Sequence, residues 1–200
     1  IDIANDMINS ATHKNITRIS GSLNIVSEHF HIMNTNDIDY SDESTFIAGT
    51  INADSEVSNL PVSGIGAISS RTLESFSAQD VGNDALEMCV DSINPKRVEQ
   101  DLYDIIFEPY AFGELLAFVF SANFNLKTYS EKRSCFSDKL GKTIANENFN
   151  LMDDPHSPDG IGSKPFDDEG TPTSPQFLIK SGMLTGLFSD SFEAFKRGTS

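Results

Sequence analysis

The chain has 200 residues, 38% of them apolar and 15 of them phenylalanine, enough for one sizeable core or for a domain plus fragments. Its 30 acids against 14 bases give a net charge of −16, which repels phosphate backbones and anionic membrane surfaces and argues against direct nucleic-acid or membrane binding. The densest basic pair, Lys132-Arg133, follows Glu131 and reads as a solvated turn. No run approaches the roughly 18 apolar residues of a membrane span, and no charged-then-apolar leader opens the chain. Cys89 and Cys135 show neither CxxC nor disulfide-rich spacing, so a folded soluble protein of a reducing cytoplasm is expected.

Residues 1–11 read as the last turns of a helix that starts earlier, and the opening Ile1 suggests a fragment of a longer protein. Over residues 19–34, Leu23 and Ile25 alternate with polar neighbours, and residues 44–51 continue the β-rich character, so two paired strands are expected. Pro61, Gly64 and Gly66 mark residues 60–66 as a loop, with a further strand over residues 67–76. Val81, Ala85, Met88 and Cys89 form the stripe of an amphipathic helix that Asn94-Pro95 stops. Cys89 belongs to that stripe as a small core residue, since no histidine lies near in sequence to activate it.

YDIIF, residues 103–107, reads as a short buried strand, Glu108-Pro109 as a turn, and residues 111–124 as an almost wholly apolar helix deep in the core. Glu114 is that helix's only charge and fits a first turn facing solvent better than a buried acid or base. Residues 126–141 are polar and loop-like, residues 149–152 suit a strand, and Asp153-Asp154-Pro155 opens a long loop. Residues 177–187 read as a hairpin turning at Ser181-Gly182, and residues 191–196 as a final helix. There is no internal repeat.

The chemistry is sparse. Metallopeptidase helices place paired histidines around a glutamate, and none occurs here. Of His13, His29, His31 and His156, only His29 and His31 share a strand face. They are the candidate metal ligands, though ordinary half-exposed strand residues are the favoured reading. No GxSxG elbow, phosphate loop or dinucleotide-binding turn is present. The acids Asp153, Asp154, Asp159, Asp167, Asp168 and Glu169 could bind calcium or act as an acid/base pair. Beside glycine and proline they fit better as turn formers whose carboxylates accept backbone N–H groups.

Four stretches taken together resemble one family. They are SCFSDKLG at residues 134–141, Asp153-Asp154-Pro155, GIGSKPFDDEGTP at residues 160–172, and the residue 179–184 hairpin. Their order and spacing are similar to the TldD/PmbA family, also called modulators of DNA gyrase. Asn34-Thr35-Asn36 and the helix over residues 80–91 match in place, so the likeness covers most of residues 34–198. It implies an α+β, strand-rich fold with curved antiparallel or mixed sheets and a few helices. Residues 1–15 would end an N-terminal α/β domain, and residues 16–200 would be an incomplete β-rich C-terminal domain.

TldD-type members carry HExxxH after the proline that follows a buried strand. Counted from Pro109, the three motif positions here are Ala117, Phe118 and Ala122, none able to ligate metal or move a proton. The resemblance therefore points to the PmbA/TldE type, a subunit without catalytic residues or cofactor that pairs with a TldD-type metallopeptidase or with itself in processing small unfolded peptides. A metal-dependent peptidase with unusual ligands is the alternative. The family-signature loop, read as structural, comprises Asp153, Asp154, Gly162, Phe166, Asp167, Asp168, Glu169 and Gly170.

Overall fold

The computed structural model describes residues 1–35, 37–57 and 60–198; Asn36, part of one stretch that carried the resemblance, lies outside them. The described chain is an α+β fold in two compact units: residues 1–100 with 157–164, and residues 101–156 with 165–200. The observed division thus falls after Gln100, and residues 1–15 share the core of the first unit.

In the first unit, helix α1 (Asp2–Ser10) precedes an antiparallel sheet of β1 (Arg18–Met33), β2 (Asp39–Ser55) and β3 (Val62–Ser70), in that order, and α2 (Ala78–Asp91) follows. The period of two along β2 puts Ile47, Gly49, Ile51, Ala53 and Ser55 on one buried face. Met7 and Ala11 of α1 and Val81, Ala85 and Cys89 of α2 pack there with Phe76. Ser77 caps α2, its hydroxyl accepting from the Asp80 N–H at 3.2 Å. Met88 lies at the edge of the expected stripe, 38% exposed, where its sulfur accepts from the Ile65 N–H.

The loop expected at residues 60–66 is instead the start of β3, and that strand ends at Ser70 rather than running towards Phe76. Gly64 and Gly66 are glycine because the α2 backbone lies against them: a Cβ at Gly66 would sit 2.0 Å from the Val81 carbonyl oxygen, and one at Gly64 2.2 Å from that of Ala85. β3 pairs only with Ile47–Ser55, so beyond Val26, opposite Phe46, β1 and β2 continue as a two-stranded arm.

The second unit opens with residues 103–107, expected as a buried strand. They belong to no strand among the described residues, and Ile106 is 97% exposed, because no sheet edge lies alongside to pair with an apolar run. The deep helix expected at residues 111–124 is also corrected. It is three pieces, α3 (Pro109–Glu114), a π-helical turn (Leu115–Phe120) and a 3₁₀ turn (Ser121–Phe124), packed on one side only, with Phe124 its one buried residue among those pieces. Phe118 is 83% exposed, and Glu114 faces solvent.

A short α4 (Leu126–Ser130) follows, capped by Asn125, where a loop was expected. β4 (Leu151–Asp153), β5 (Gln176–Lys180) and β6 (Met183–Leu184) form an antiparallel sheet in that order. The expected hairpin is there, its turn residues Ser181 and Gly182 both in the left-handed region at φ 48° and 75°. Leu178, Ile179, Leu184 and Phe124 make the core. The final helix, α5 (Ser191–Arg197), starts at Asp190, whose carboxylate accepts the Glu193 N–H, and stops at left-handed Gly198. No helix among the described residues is long and apolar enough to cross a membrane.

Candidate functional site

The acidic signature loop is where the sequence concentrates its carboxylates, and the structure separates their tasks. Asp153 closes β4 opposite Gln176, and the Asp154 carboxylate accepts from the His156 N–H at 3.1 Å, stabilising the bend at Pro155. Asp159 and Gly162 are exposed, and nothing lies within 4 Å of a Cβ built at Gly162. Around them, Arg71 holds the backbone in place, its guanidinium donating to the Gly160 and Ser163 carbonyls at 2.8 and 2.9 Å. Lys164 places its ammonium 5.5 Å from the Phe30 ring centre on the β-arm.

Phe166, 4% exposed, anchors the second half of the loop through a bridge to Pro172. Between them the Asp167 carboxylate accepts from the Glu169 and Thr171 N–H groups at 2.9 and 2.8 Å, while the Asp167 N–H donates to the Thr171 carbonyl. Gly170, at φ 81°, supplies the left-handed step that closes this turn. Glu169 reaches away to α5, accepting from the N–H and hydroxyl of Ser191 at 3.0 and 2.9 Å. Asp168 is exposed. Asp167 folds its own turn and Glu169 fastens a helix, so these two neighbouring acids act on different partners.

The candidate ligands His29 and His31 lie on β1 within the arm, each beside a carboxylate of β2. The His29 Nδ1 is 3.5 Å from Glu43, and the His31 Nε2 is 2.6 Å from Asp39. A polar surface hollow of about 370 Å³ is lined by Ser27, Glu28, His29, Glu43, Ser44 and Thr45. No group of three or more His, Cys, Asp or Glu side chains among the described residues is placed to hold a metal ion. Ala117 and Phe118 stand on the π-helical turn and Ala122 on the 3₁₀ turn, all exposed.

The remaining groups of chemical interest are structural. Burial pushes the Cys89 thiol up, away from the reactive thiolate, and its Sγ faces the Val62 carbonyl at 3.8 Å. In the residue 134–141 stretch the buried Ser134 hydroxyl donates to the Asn123 carbonyl at 2.7 Å and accepts from the Phe136 N–H. The Lys132 ammonium bonded to Asp138 lowers that carboxyl's pKa.

Two features carried no sequence signal. One is Asp54, whose carboxylate accepts from Ser63 and Arg18, and from Asn52, and which those bonds hold below the usual carboxylate range. Arg18 and Ser63 face Asp54 from β1 and β3 by register alone, so only strand pairing reveals the group. The other is the pairing of Glu169 with Ser191 across 22 residues.

These observations describe a strand-rich α+β scaffold, and the matching family model is of a metallopeptidase-related class. The chain belongs to the PmbA/TldD family: the profile described as the PmbA/TldA metallopeptidase C-terminal domain matches residues 100–200. Metalloprotease PmbA of Escherichia coli O157:H7 is 29% identical over 118 residues, 59% of this chain and 26% of its own length. An uncharacterised protein of Methanocaldococcus jannaschii is 24% identical over 189 residues, 94% of this chain and 44% of its own.

Two solved structures share the fold over 100% of this chain and 46% of theirs. One is a Thermotoga maritima protein designated a candidate modulator of a DNA gyrase, at TM-score 0.93 and 24% identity. The other is TldE from Thermococcus kodakarensis, at TM-score 0.88 and 22% identity. The chain spans less than half the length of the curated relatives it matches.

Proposed function

We propose that this chain is the PmbA/TldE-type, non-catalytic partner of a TldD-type metallopeptidase subunit in processing small unfolded peptides. The observation that carries the reading is the helix of residues 109–124. Where TldD-type members place a histidine, a glutamate and a second histidine, this chain presents Ala117, Phe118 and Ala122 on an exposed helical face. The methyl and phenyl groups there can neither bind an ion nor take a proton, whatever else the protein contains.

The sheet of the first unit, taken by itself, suits capture rather than chemistry. β1 is an edge strand of 16 residues in a sheet ordered β1-β2-β3. An edge of that kind holds an extended segment by backbone pairing, with little demand on its sequence. The charge of −16 opposes a role on nucleic acid. The test is reconstitution of the full-length protein with and without a TldD-type subunit from the same organism. The expected result is degradation of an unfolded casein-like substrate only by the pair, stopped by EDTA. EDTA-sensitive cleavage by the protein alone overturns the reading.

The designation of relatives as metalloproteases favours a second reading, a metal-dependent peptidase using His29 and His31. It requires stoichiometric zinc in the pure protein, lost in the His29→Ala, His31→Ala double variant. On the first reading that double variant changes neither metal content nor the activity of the pair.

A further inference from the structure

Between Arg18 and Arg71 the chain has no lysine or arginine, although it has 14 in all, and the same stretch holds seven acids. That stretch is the sheet of the first unit, and Glu28, Asp37, Asp39, Asp42 and Glu43 fall on its two-stranded arm or at the arm's turn. Side chains alternate along a strand, so the register puts these acids on both faces. Glu28 shares one face with Phe30, which stands opposite Asp42; on the other, Glu43 lies beside His29 and Asp39 beside His31. Among the described residues Glu28 and Asp42 have no ion-pair partner. A cation from outside the sheet already lies on the arm: the Lys164 ammonium stands 5.5 Å from the Phe30 ring centre. The edge itself is open. β1 pairs with β2 over 16 consecutive residues without a bulge, and with no other strand among the described residues. Exposed edges are commonly blunted by lysine, proline or a bulge, and β1 has none of these. What it has instead is charge of one sign. Two like-charged arms repel at close range, which disfavours a second copy of this strand, and the same field attracts a segment of opposite charge.

We propose that the segment captured along the β1 edge of the arm is a cationic one, an extended stretch of chain with lysine or arginine at alternate positions. The inference deepens the peptide-capture reading above and rests on it for the use of that edge. A strand added there lies about 4.8 Å from β1 and presents its side chains to the two faces in turn. Its cations therefore come beside carboxylates whichever face they take: Glu28 and Asp42 on one, Asp39 and Glu43 on the other. Long lysine and arginine side chains reach inward to the acids of β2 as well as to Glu28. Charges within a Debye length of about 8 Å escape most screening at physiological salt. Backbone pairing holds a segment with little regard to its sequence, and the charge of the arm selects among the segments so held.

The experiment titrates three short, terminally blocked peptides, alternating valine with lysine, glutamine or glutamate, into the full-length protein at low and at high salt. Fluorescence anisotropy reports affinity, and amide hydrogen exchange of residues 26–33 reports the place of binding. The lysine peptide is expected to bind about tenfold more tightly than the glutamine peptide at low salt, to lose most of that advantage at high salt, and to slow exchange at residues 26–33. The glutamate peptide is expected to bind weakest. Glu28→Gln combined with Asp42→Asn, near-isosteric changes on the arm, should cut the lysine peptide's advantage by about fivefold and leave the glutamine peptide unchanged; Glu28→Gln alone serves should the double variant not fold. Equal binding of the three peptides, an undiminished lysine preference in a folded variant, or a bound lysine peptide that leaves residues 26–33 exchanging as before overturns the proposal. Protection of those amides by a second copy of the chain, with no peptide present, overturns it too. The two readings fail separately. A reconstituted pair that degrades peptides while the full-length protein binds all three alike removes the charge selection and keeps the subunit. Charge-selective capture by a protein that cleaves on its own, and is stopped by EDTA, does the reverse.

Discussion

Replacing Gly66 by alanine tests the packing on which the first unit depends. A Cβ added there meets the Val81 carbonyl oxygen at 2.0 Å, the Ala85 nitrogen at 2.9 Å and the Val81 carbonyl carbon at 3.0 Å. All three are backbone atoms of α2, so no side chain can swing aside, and a normal contact requires β3 and α2 to separate by about 1 Å. Separation loosens the contacts of Val81, Ala85 and Cys89, which are all 0% exposed. Overpacking of this kind costs about 1–3 kcal/mol, with rigid neighbours at the upper end. Loss of glycine's freedom in the unfolded chain returns about 0.5–1 kcal/mol, leaving a net destabilisation of about 2 kcal/mol. In a unit of about 100 residues each kcal/mol moves Tm by about 4–8 °C, so thermal unfolding should shift down by about 8–16 °C. Gly113→Ala in α3 is the control, since nothing lies within 4 Å of its added carbon, and it should raise helix stability by up to about 1 kcal/mol. A Gly66→Ala protein melting within about 2 °C of the parent would refute the close-approach argument.

Other perturbations separate the roles of the acids. The Asp54 carboxyl has a lowered pKa in the folded protein, so its stabilisation is present above the unfolded value of about 4 and is lost as pH falls through the folded value. Denaturant titrations of the parent should therefore lose stability below about pH 4, and Asp54→Asn should reduce that dependence while lowering stability at pH 7. Glu169→Ala removes the one carboxylate oxygen that accepts both hydrogen bonds from Ser191 and should release α5 to limited proteolysis near Ser189 at a cost of about 1–2 kcal/mol; unchanged protection of α5 amides would refute the link. Ser181→Gly should raise stability by about 0.5–1 kcal/mol by relieving a left-handed serine. Gly182→Ala, at φ 75° and with its Cβ 2.4 Å from the Ala145 carbonyl oxygen, should destabilise the hairpin region strongly in the same melting assay.

The acidic loop shows how far composition can guide a search. Three adjacent acids look like a reactive cluster on paper. In the fold, the carboxylate of Asp167 turns back on the N–H groups two and four residues on, and that of Glu169 reaches Ser191. The first arrangement is local, and the proximity of Asp167, Gly170 and Pro172 foretells it. The second spans 22 residues and leaves no local trace. Arg71, which braces Gly160 and Ser163 from a distance of about 90 positions, is silent in the sequence for the same reason.

Local physics was legible wherever neighbouring residues decide the outcome. The α2 stripe of Val81, Ala85 and Cys89, the Ser181-Gly182 turn, the α5 segment and the pairing of the first two strands all follow from periodicity and turn chemistry. The four family stretches, read in order, led to the PmbA/TldD family. Tertiary structure alone decided the rest. Glycines 64 and 66, which read as a loop, lie in a strand because a helix backbone presses on them from 15 or more residues away. The apolar runs at residues 103–107 and 111–124, which read as buried, are largely exposed, because burial depends on what lies opposite and a one-dimensional pattern records only what a residue would accept as a neighbour, not whether one is there.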